Sequence, residues 1–250
     1  MKLPTEYLNT IFLEPFESGA AKIPDGSVDL ILTDPPYGVT DLAWDKRPDL
    51  SILWSVFNRV LKPSGAAVMT ATQPFATDLI QSNRRFFRYD LVWAKSNPVG
   101  FLNARRMPLR QHELVLVFYR RLPTYNPQML PGSTHVARAL ASKGNKASRP
   151  GVYAQHQLVS REAHGRYPTS LLPIDKDGAG KNRHPMQKPV ALFEYLIKTY
   201  SRPGEVVFDP YMGSGTTAVA ALRAGRNYIG FEIEPEYHAL AEKRIASLQD

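Results

Sequence analysis

Short apolar runs and longer amphipathic ones alternate along this chain, punctuated by turns rich in proline, glycine and asparagine. The short runs predict strands at Asn9–Glu14, Val28–Thr33, Ala66–Ala71, Tyr89–Ala94, Glu113–Tyr119, Glu205–Phe208 and Asn227–Ile233. Helical spacing marks Asp49–Leu61, Pro74–Ile80, Pro189–Tyr200, the segment from the glycine turn through Ala224, and Pro235–Leu248. Asp49 is a candidate N-cap, and Lys62-Pro63-Ser64-Gly65 is a candidate stop for its helix. Strands that alternate with helices predict an α/β fold built on a parallel sheet.

One stretch breaks the rhythm. Tyr125–Arg183 has neither period and is rich in Pro, Gly, Ser and basic residues, too long for an ordinary connection and therefore either functional or mobile. Charge sharpens the picture: eleven of the 31 Lys and Arg fall between Arg120 and Arg183, against three of the 23 acids. The chain's excess of +8 thus sits in this one region, as suits a phosphate backbone better than a small substrate. A chain of 250 residues accommodates one domain, residues 1–250, with residues 121–183 as a basic insertion inside it.

The absence of cysteine excludes disulfides, thiolate metal sites and a cysteine nucleophile, and with the nucleophile it excludes methylation at cytosine C5. The N-terminal residues lack an apolar leader core, and no apolar run reaches the roughly 18 residues of a membrane span. A soluble, cytoplasmic protein with no membrane partner is expected.

Two segments carry candidate chemistry. Val28–Thr33 runs into Asp34-Pro35-Pro36-Tyr37, which places a carboxylate, a rigid turn and an aromatic ring at a strand's carboxyl end. An exocyclic amine of a base is a poor nucleophile because its lone pair is delocalised into the ring. Two acceptors on its hydrogens favour sp3 character, and the Asp34 carboxylate and a proline carbonyl supply them. Tyr37 offers a ring for stacking, worth roughly 1–3 kcal/mol per base in comparable contacts.

The second segment, Val206–Thr217, is a strand that breaks into Gly213-Ser214-Gly215 and then a helix, a turn at which small residues let a cofactor approach the backbone. Glu232, at the end of the next strand and 19 residues after Gly213, suits a ribose diol, so an NAD site is also open. Asp209 before the turn repels a pyrophosphate and suits an ammonium, which favours S-adenosylmethionine.

Taken in order, these motifs resemble the amino-group (N6-adenine or N4-cytosine) DNA methyltransferases of the β arrangement, in which the catalytic motif precedes the cofactor motif. The resemblance implies a Rossmann-like, circularly permuted methyltransferase sheet, mostly parallel with one antiparallel strand, with helices on both faces and the first strand beside the last helix. It implies Asp34, Pro35, Pro36 and Tyr37 as the catalytic motif. Phe208, Asp209, Gly213, Ser214, Gly215, Thr216, Thr217, Glu232, Gln187, Lys188 and Glu14 would bind S-adenosylmethionine. Tyr211 and Met186 stand where the family more often has phenylalanine and threonine.

The resemblance further implies target recognition by the basic insertion, a base flipped out of double-stranded DNA, and site-specific methylation. Adenine N6 is favoured by aspartate at position 34; cytosine N4 is the nearest alternative. A catalytically silent DNA-binding protein and an NAD-dependent oxidoreductase are the rivals from other classes. Arg105, Arg106, Arg138, Lys143, Lys146 and Arg149 are the candidate phosphate contacts, with Arg110 beside them on the same loop as Arg105 and Arg106. Trp44, close to the flipped base in this reading, is taken as a packing residue and left out of the site. His135, His156 and His164 lack metal-site spacing, so no metal is expected. A partner restriction enzyme, and a monomer or a homodimer, are both compatible with the sequence.

Overall fold

A computed structural model describes residues 3–39, 45–131, 165–175 and 187–248. They divide into a larger unit, Met1–Asn126 with Ser170–Asp250, and a smaller one, Pro127–Thr169. In the smaller unit the described ends pair as an antiparallel bridge between Leu130 and Arg166.

The larger unit is a sheet with helices on both faces. In chain order its elements are β1 (Thr10–Leu13), α1 (Phe16–Gly19), β2 (Val28–Thr33), α2 (Leu50–Val60), β3 (Leu61–Ala71), α3 (Phe75–Ser82), β4 (Phe87–Val99), β5 (Arg110–Tyr119), β6 (Leu171–Pro173), α4 (Val190–Tyr200), β7 (Val206–Asp209), α5 (Thr216–Arg223), β8 (Asn227–Glu232) and α6 (Pro235–Ala246). The eight strands lie in the order β1-β8-β7-β2-β3-β5-β4-β6. Every neighbouring pair is parallel except those made by β5, which runs against β3 and β4. The first strand pairs with the last, and His238 on α6 hydrogen-bonds the Ile11 carbonyl of β1 at 2.9 Å.

Strand residues alternate between two cores. Leu30, Leu32, Val115, Val117 and Val207 face α4, α5 and α6, whereas Ile31, Leu116, Phe118 and Phe208 face α1, α2 and α3. Burial on both faces explains why these strands read as continuous apolar runs.

Local chemistry sets the element boundaries. Asp49 caps α2 by accepting the Ser51 and Ile52 N–H groups at 2.8 and 3.2 Å. The Ser51 hydroxyl, with those N–H groups, holds its carboxyl below the ordinary value. The helix ends at Val60 and the chain enters β3 directly, so the expected stop at Lys62–Gly65 lies inside a strand. A Cβ at Gly65 would stand 2.7 Å from the Asp29 carbonyl, and glycine there lets β3 close on β2 where their register shifts.

Two departures from the sequence reading share one cause. Leu171–Pro173 falls within the stretch read as insertion, yet it forms β6: the Val92 N–H donates to the Ser170 carbonyl at 2.7 Å, and the Trp93 indole donates to Ile174 at 2.8 Å. A strand of three residues has no period to detect, and pairing with β4 defines it. β4 and β5 likewise run past the expected Tyr89–Ala94 and Glu113–Tyr119, because their ends form an exposed hairpin with no apolar alternation.

Phe118 is fully buried, 4.9 Å from the Trp54 ring and 5.5 Å from the Phe87 ring. Phe118→Ala is expected to lower unfolding free energy by roughly 3–5 kcal/mol. Urea denaturation measures this loss, and a change below about 1 kcal/mol would show that the cavity collapses.

Candidate active site

Because β2 and β7 are parallel neighbours, their carboxyl ends open side by side, in the crevice where open α/β sheets place ligands. Asp34-Pro35-Pro36-Tyr37 leaves β2 and Pro210–Gly215 leaves β7. Between them lies a cavity of about 460 Å³ whose wall includes all four residues of the first turn together with Asp209, Gly213, Ser214, Thr216, Thr217, Glu232, Gln187 and Lys188. Both halves of the sequence-predicted site therefore share one space.

At the first turn, the Asp34 Oδ1 accepts the Tyr37 hydroxyl at 2.6 Å and the Thr70 hydroxyl from β3. Its Oδ2 pairs with the Lys188 ammonium at 2.7 Å. Lys188 also lies 3.2 Å from Glu113 Oε2 on β5, and Glu113 Oε1 pairs with Lys95 on β4. Asp34, Lys188, Glu113 and Lys95 thus form a line of alternating charge, the last three buried. Such a line offsets desolvation only while every member has its partner.

Burial pushes the Glu113 carboxyl up, but the Lys188 and Lys95 ammonium groups outweigh it and hold the carboxyl below its ordinary value. Burial pulls Lys188 down, and Asp34 and Glu113 outweigh that, leaving it above. Burial, reinforced by the Asp34 and Glu113 charges, drives the Tyr37 hydroxyl well above its ordinary value, so it stays a hydrogen-bond donor.

The Tyr37 ring differs from the open platform expected of it. It is 5% exposed, Phe75 stacks on it at 5.7 Å, and the Lys188 ammonium stands over it, 5.2 Å from the ring centre.

At the second turn, the Asp209 Oδ1 accepts the Tyr211 N–H at 3.0 Å, and its Oδ2 accepts the Thr217 hydroxyl. Burial raises its carboxyl from 3.8 to about 6, against the pull of the Thr217 hydroxyl. Glu232 accepts the Gly213 N–H at 2.7 Å and the Ile233 and Glu234 N–H groups at 2.9 Å each, which ties the glycine turn to the end of β8. The backbone at Gly213 is left-handed, and an added Cβ would meet only open space. Arg244 on α6 donates to the Ser214 carbonyl and hydroxyl at 2.5 and 3.0 Å, and the Ser214 hydroxyl donates to Gln187 at 3.3 Å. The Tyr211 hydroxyl, on the cavity wall, is buried without a hydrogen-bond partner among the described residues.

Three sequence-predicted cofactor residues are placed elsewhere. Phe208 packs in the core against Phe57 and Phe231, because the alternation along β7 turns it away from the cavity. Gly215 lies off the wall, where an added Cβ would stand 2.8 Å from Ala241; it is the residue that lets α6 close on the turn. Glu14 pairs with Lys22 outside the cavity, and Glu17 lines the wall in its place.

Arg105 and Arg106 are exposed on the β4–β5 hairpin. Arg138, Lys143, Lys146 and Arg149 lie outside the described residues, as do Trp44, His184–Met186, His135, His156 and His164. Sequence reasoning missed Thr70, Lys95, Glu113 and Arg244. The only signal for the charged pair on β4 and β5 was a lysine and a glutamate at the ends of otherwise apolar strands.

Comparison with known proteins identifies the family. The model of the DNA methylase family, the N6 and N4 methyltransferases, matches residues 28–243. The chain belongs to the DNA methylase family. It is 30% identical to the Type II methyltransferase M.HinfI of Haemophilus influenzae, over 98% of this chain and 70% of that one. Among solved structures, M1.HpyAVI in complex with SAM has a TM-score of 0.61 at 24% identity, covering 94% of this chain and 98% of that one. The PvuII cytosine-N4-specific DNA methyltransferase has a TM-score of 0.66 at 19% identity, covering 96% and 90%. As a DNA methylase of this family, the protein transfers methyl groups from S-adenosylmethionine to an amino group of a DNA base.

The cavity of this methylase fits that cofactor: Asp209 offers a carboxylate to an ammonium, Glu232 offers one to a diol, and the Tyr211 hydroxyl has a bond still to make. Holding Asp209 ionised in its buried position costs about 3 kcal/mol, as its shift from 3.8 to about 6 implies. With a raised native value, the folded form takes up its proton near pH 6 and the unfolded form near 3.8, so this group's contribution to stability falls as pH rises between them. Asp209→Asn is expected to be more stable than the unsubstituted enzyme at pH 8. Thermal melts across pH should show that advantage shrinking through pH 6 and gone below about pH 4; an advantage that grows on acidification contradicts it.

Proposed function

We propose that this DNA methylase methylates the N6 amine of adenine in double-stranded DNA, with Asp34 as the acceptor that activates the amine. The observation that carries the reading is the shared cavity: a carboxylate at the end of β2 faces the same space as the glycine turn after β7. S-adenosylmethionine supplies an electrophilic methyl group on a sulfonium.

Asp34 accepts one amine hydrogen and a proline carbonyl of the turn accepts the other, drawing the nitrogen lone pair out of the ring. As positive charge develops on the nitrogen, the Asp34 carboxylate stabilises it in a site sheltered from water. Asp209 meets the cofactor's ammonium, Glu232 its ribose, and the open backbone at Gly213 admits it, with Gln187 and Ser214 beside the turn. Aspartate at position 34 supports adenine over cytosine. The Type II relatives support a role as the modification partner of a restriction enzyme.

DNA reaches the site at the carboxyl edge of the sheet. β4 runs parallel to β2, so the β4–β5 hairpin projects from that edge. The hairpin carries Arg105, Arg106 and Arg110 and exposes Phe101 at 75% and Leu102 at 85%. This combination of cations and apolar side chains suits a duplex whose base has been unstacked. The basic residues from 121 to 183 add phosphate contacts.

Asp34→Ala should abolish methyl transfer while binding of S-adenosylmethionine, read by calorimetry, is retained. Expression in a host without methylases, followed by sequencing that identifies the modified base, should report N6-methyladenine in one sequence context; N4-methylcytosine would replace that assignment. DNA affinity should fall steeply with salt, and Arg105→Ala with Arg106→Ala should make the slope shallower by about two. An unchanged slope would remove the hairpin from the DNA surface.

A further inference from the structure

We infer that Lys188 is a positioning residue of the methyl transfer, a displaceable placeholder that occupies the target amine's place on Asp34 and withdraws to Glu113 when the base arrives. This rests on the reading of Asp34 as the activating acceptor. The geometry is that of a bound amine: a nitrogen 2.7 Å from Asp34 Oδ2 and 5.2 Å from the Tyr37 ring centre. Those are the two groups that the flipped base would use, one for its amine and one for its ring. Base and ammonium therefore exclude each other.

The place to which Lys188 retreats is already built. Glu113 Oε2 is 3.2 Å from the ammonium, and Glu113 is itself held by Lys95. Moving between the two carboxylates keeps the ammonium paired throughout, which a buried cation requires. The move also has functional sense: an ammonium left on Asp34 would oppose the positive charge that develops on the amine, whereas one drawn to Glu113 frees the carboxylate. Before the base enters, the same ammonium keeps Asp34 from standing uncompensated.

Lys188 is joined to the cofactor turn as well. The Thr216 hydroxyl donates to its carbonyl at 3.4 Å, and the adjacent Gln187 accepts from Ser214. Its main chain is anchored at the glycine turn while its side chain reaches the catalytic turn. Lys188 is thereby a physical link between the two halves of the site.

The test is the pH dependence of turnover on unmethylated genomic DNA from a methylase-free host. The ionisable groups around Asp34 are Tyr37 on its own turn, Lys188 before α4, Glu113 on β5 and Asp209 on β7, with Lys95 on β4 acting through Glu113. Lys188→Met removes the cation beside Asp34, and the acid limb of the profile should move up by about one pH unit or more. Lys188→Arg keeps the charge and should return the limb toward its original position. Glu113→Gln leaves Lys188 with Asp34 alone; turnover at saturating DNA should fall, the acid limb should move down, and the KM for S-adenosylmethionine should stay unchanged.

Opposite movements in the methionine and glutamine variants, each folded by circular dichroism, establish the placeholder. If Lys188→Met instead weakens S-adenosylmethionine binding and leaves the profile in place, Lys188 is a cofactor contact and the inference fails. Failure of the underlying reading looks different: Asp34→Ala would then keep its turnover.

Discussion

Parallel pairing of β2 with β7 is the constraint on which everything else in this molecule depends. Leu30 opposite Val207 and Ile31 opposite Phe208 set two strands from distant parts of the chain in one register, running the same way. Their carboxyl ends then open at the same edge, one into a proline-stiffened turn with a carboxylate and the other into a glycine turn ahead of a helix. Neither turn has a partner without the other. The strands at this junction are buried on both faces, so the register is specified by two hydrophobic cores at once.

A second constraint follows from putting charge where water is scarce. Asp34, Asp209, Glu113, Lys95 and Lys188 all lie at the cavity or directly behind it, and each is compensated in its own way. Asp34 and Glu113 take ammonium partners, while Asp209 has hydrogen bonds from Tyr211 and Thr217 and a raised proton affinity. A carboxylate kept ionised without a cation close by is expensive for a resting protein and useful to one that must receive a cationic ligand. Asp34 already has its cation in Lys188, whereas Asp209 has only hydrogen bonds and no ion pair among the described residues.

Much of this was legible in the chain. Val28–Thr33 and Asn227–Ile233 read as strands because burial on both faces writes a continuous apolar run, the second ending one residue earlier at Glu232, and Asp49 read as a cap because its side chain answers N–H groups two and three residues on. The two turns were visible because each packs its chemistry into consecutive residues. The misses obey the same logic. β6 is three residues long and exists only through its pairing with β4, and the β4–β5 hairpin extends into solvent, where no alternation is enforced. Phe208 and Glu14 adjoin the motifs in sequence, but strand alternation and an ion pair with Lys22 turn them from the cavity.

By itself, then, the sequence determined most of the strands and helices, the α/β class and the two turns that carry the candidate chemistry, because each is encoded within a few neighbouring residues. The tertiary structure alone decided that Lys188 faces Asp34, that Glu113 and Lys95 stand behind it, and that the Tyr37 ring is covered. Those contacts join residues up to 154 positions apart, as Lys188 and Asp34 are. No local period or spacing records them, since only the order of strands in the sheet brings β2, β3, β4, β5 and the start of α4 to one edge.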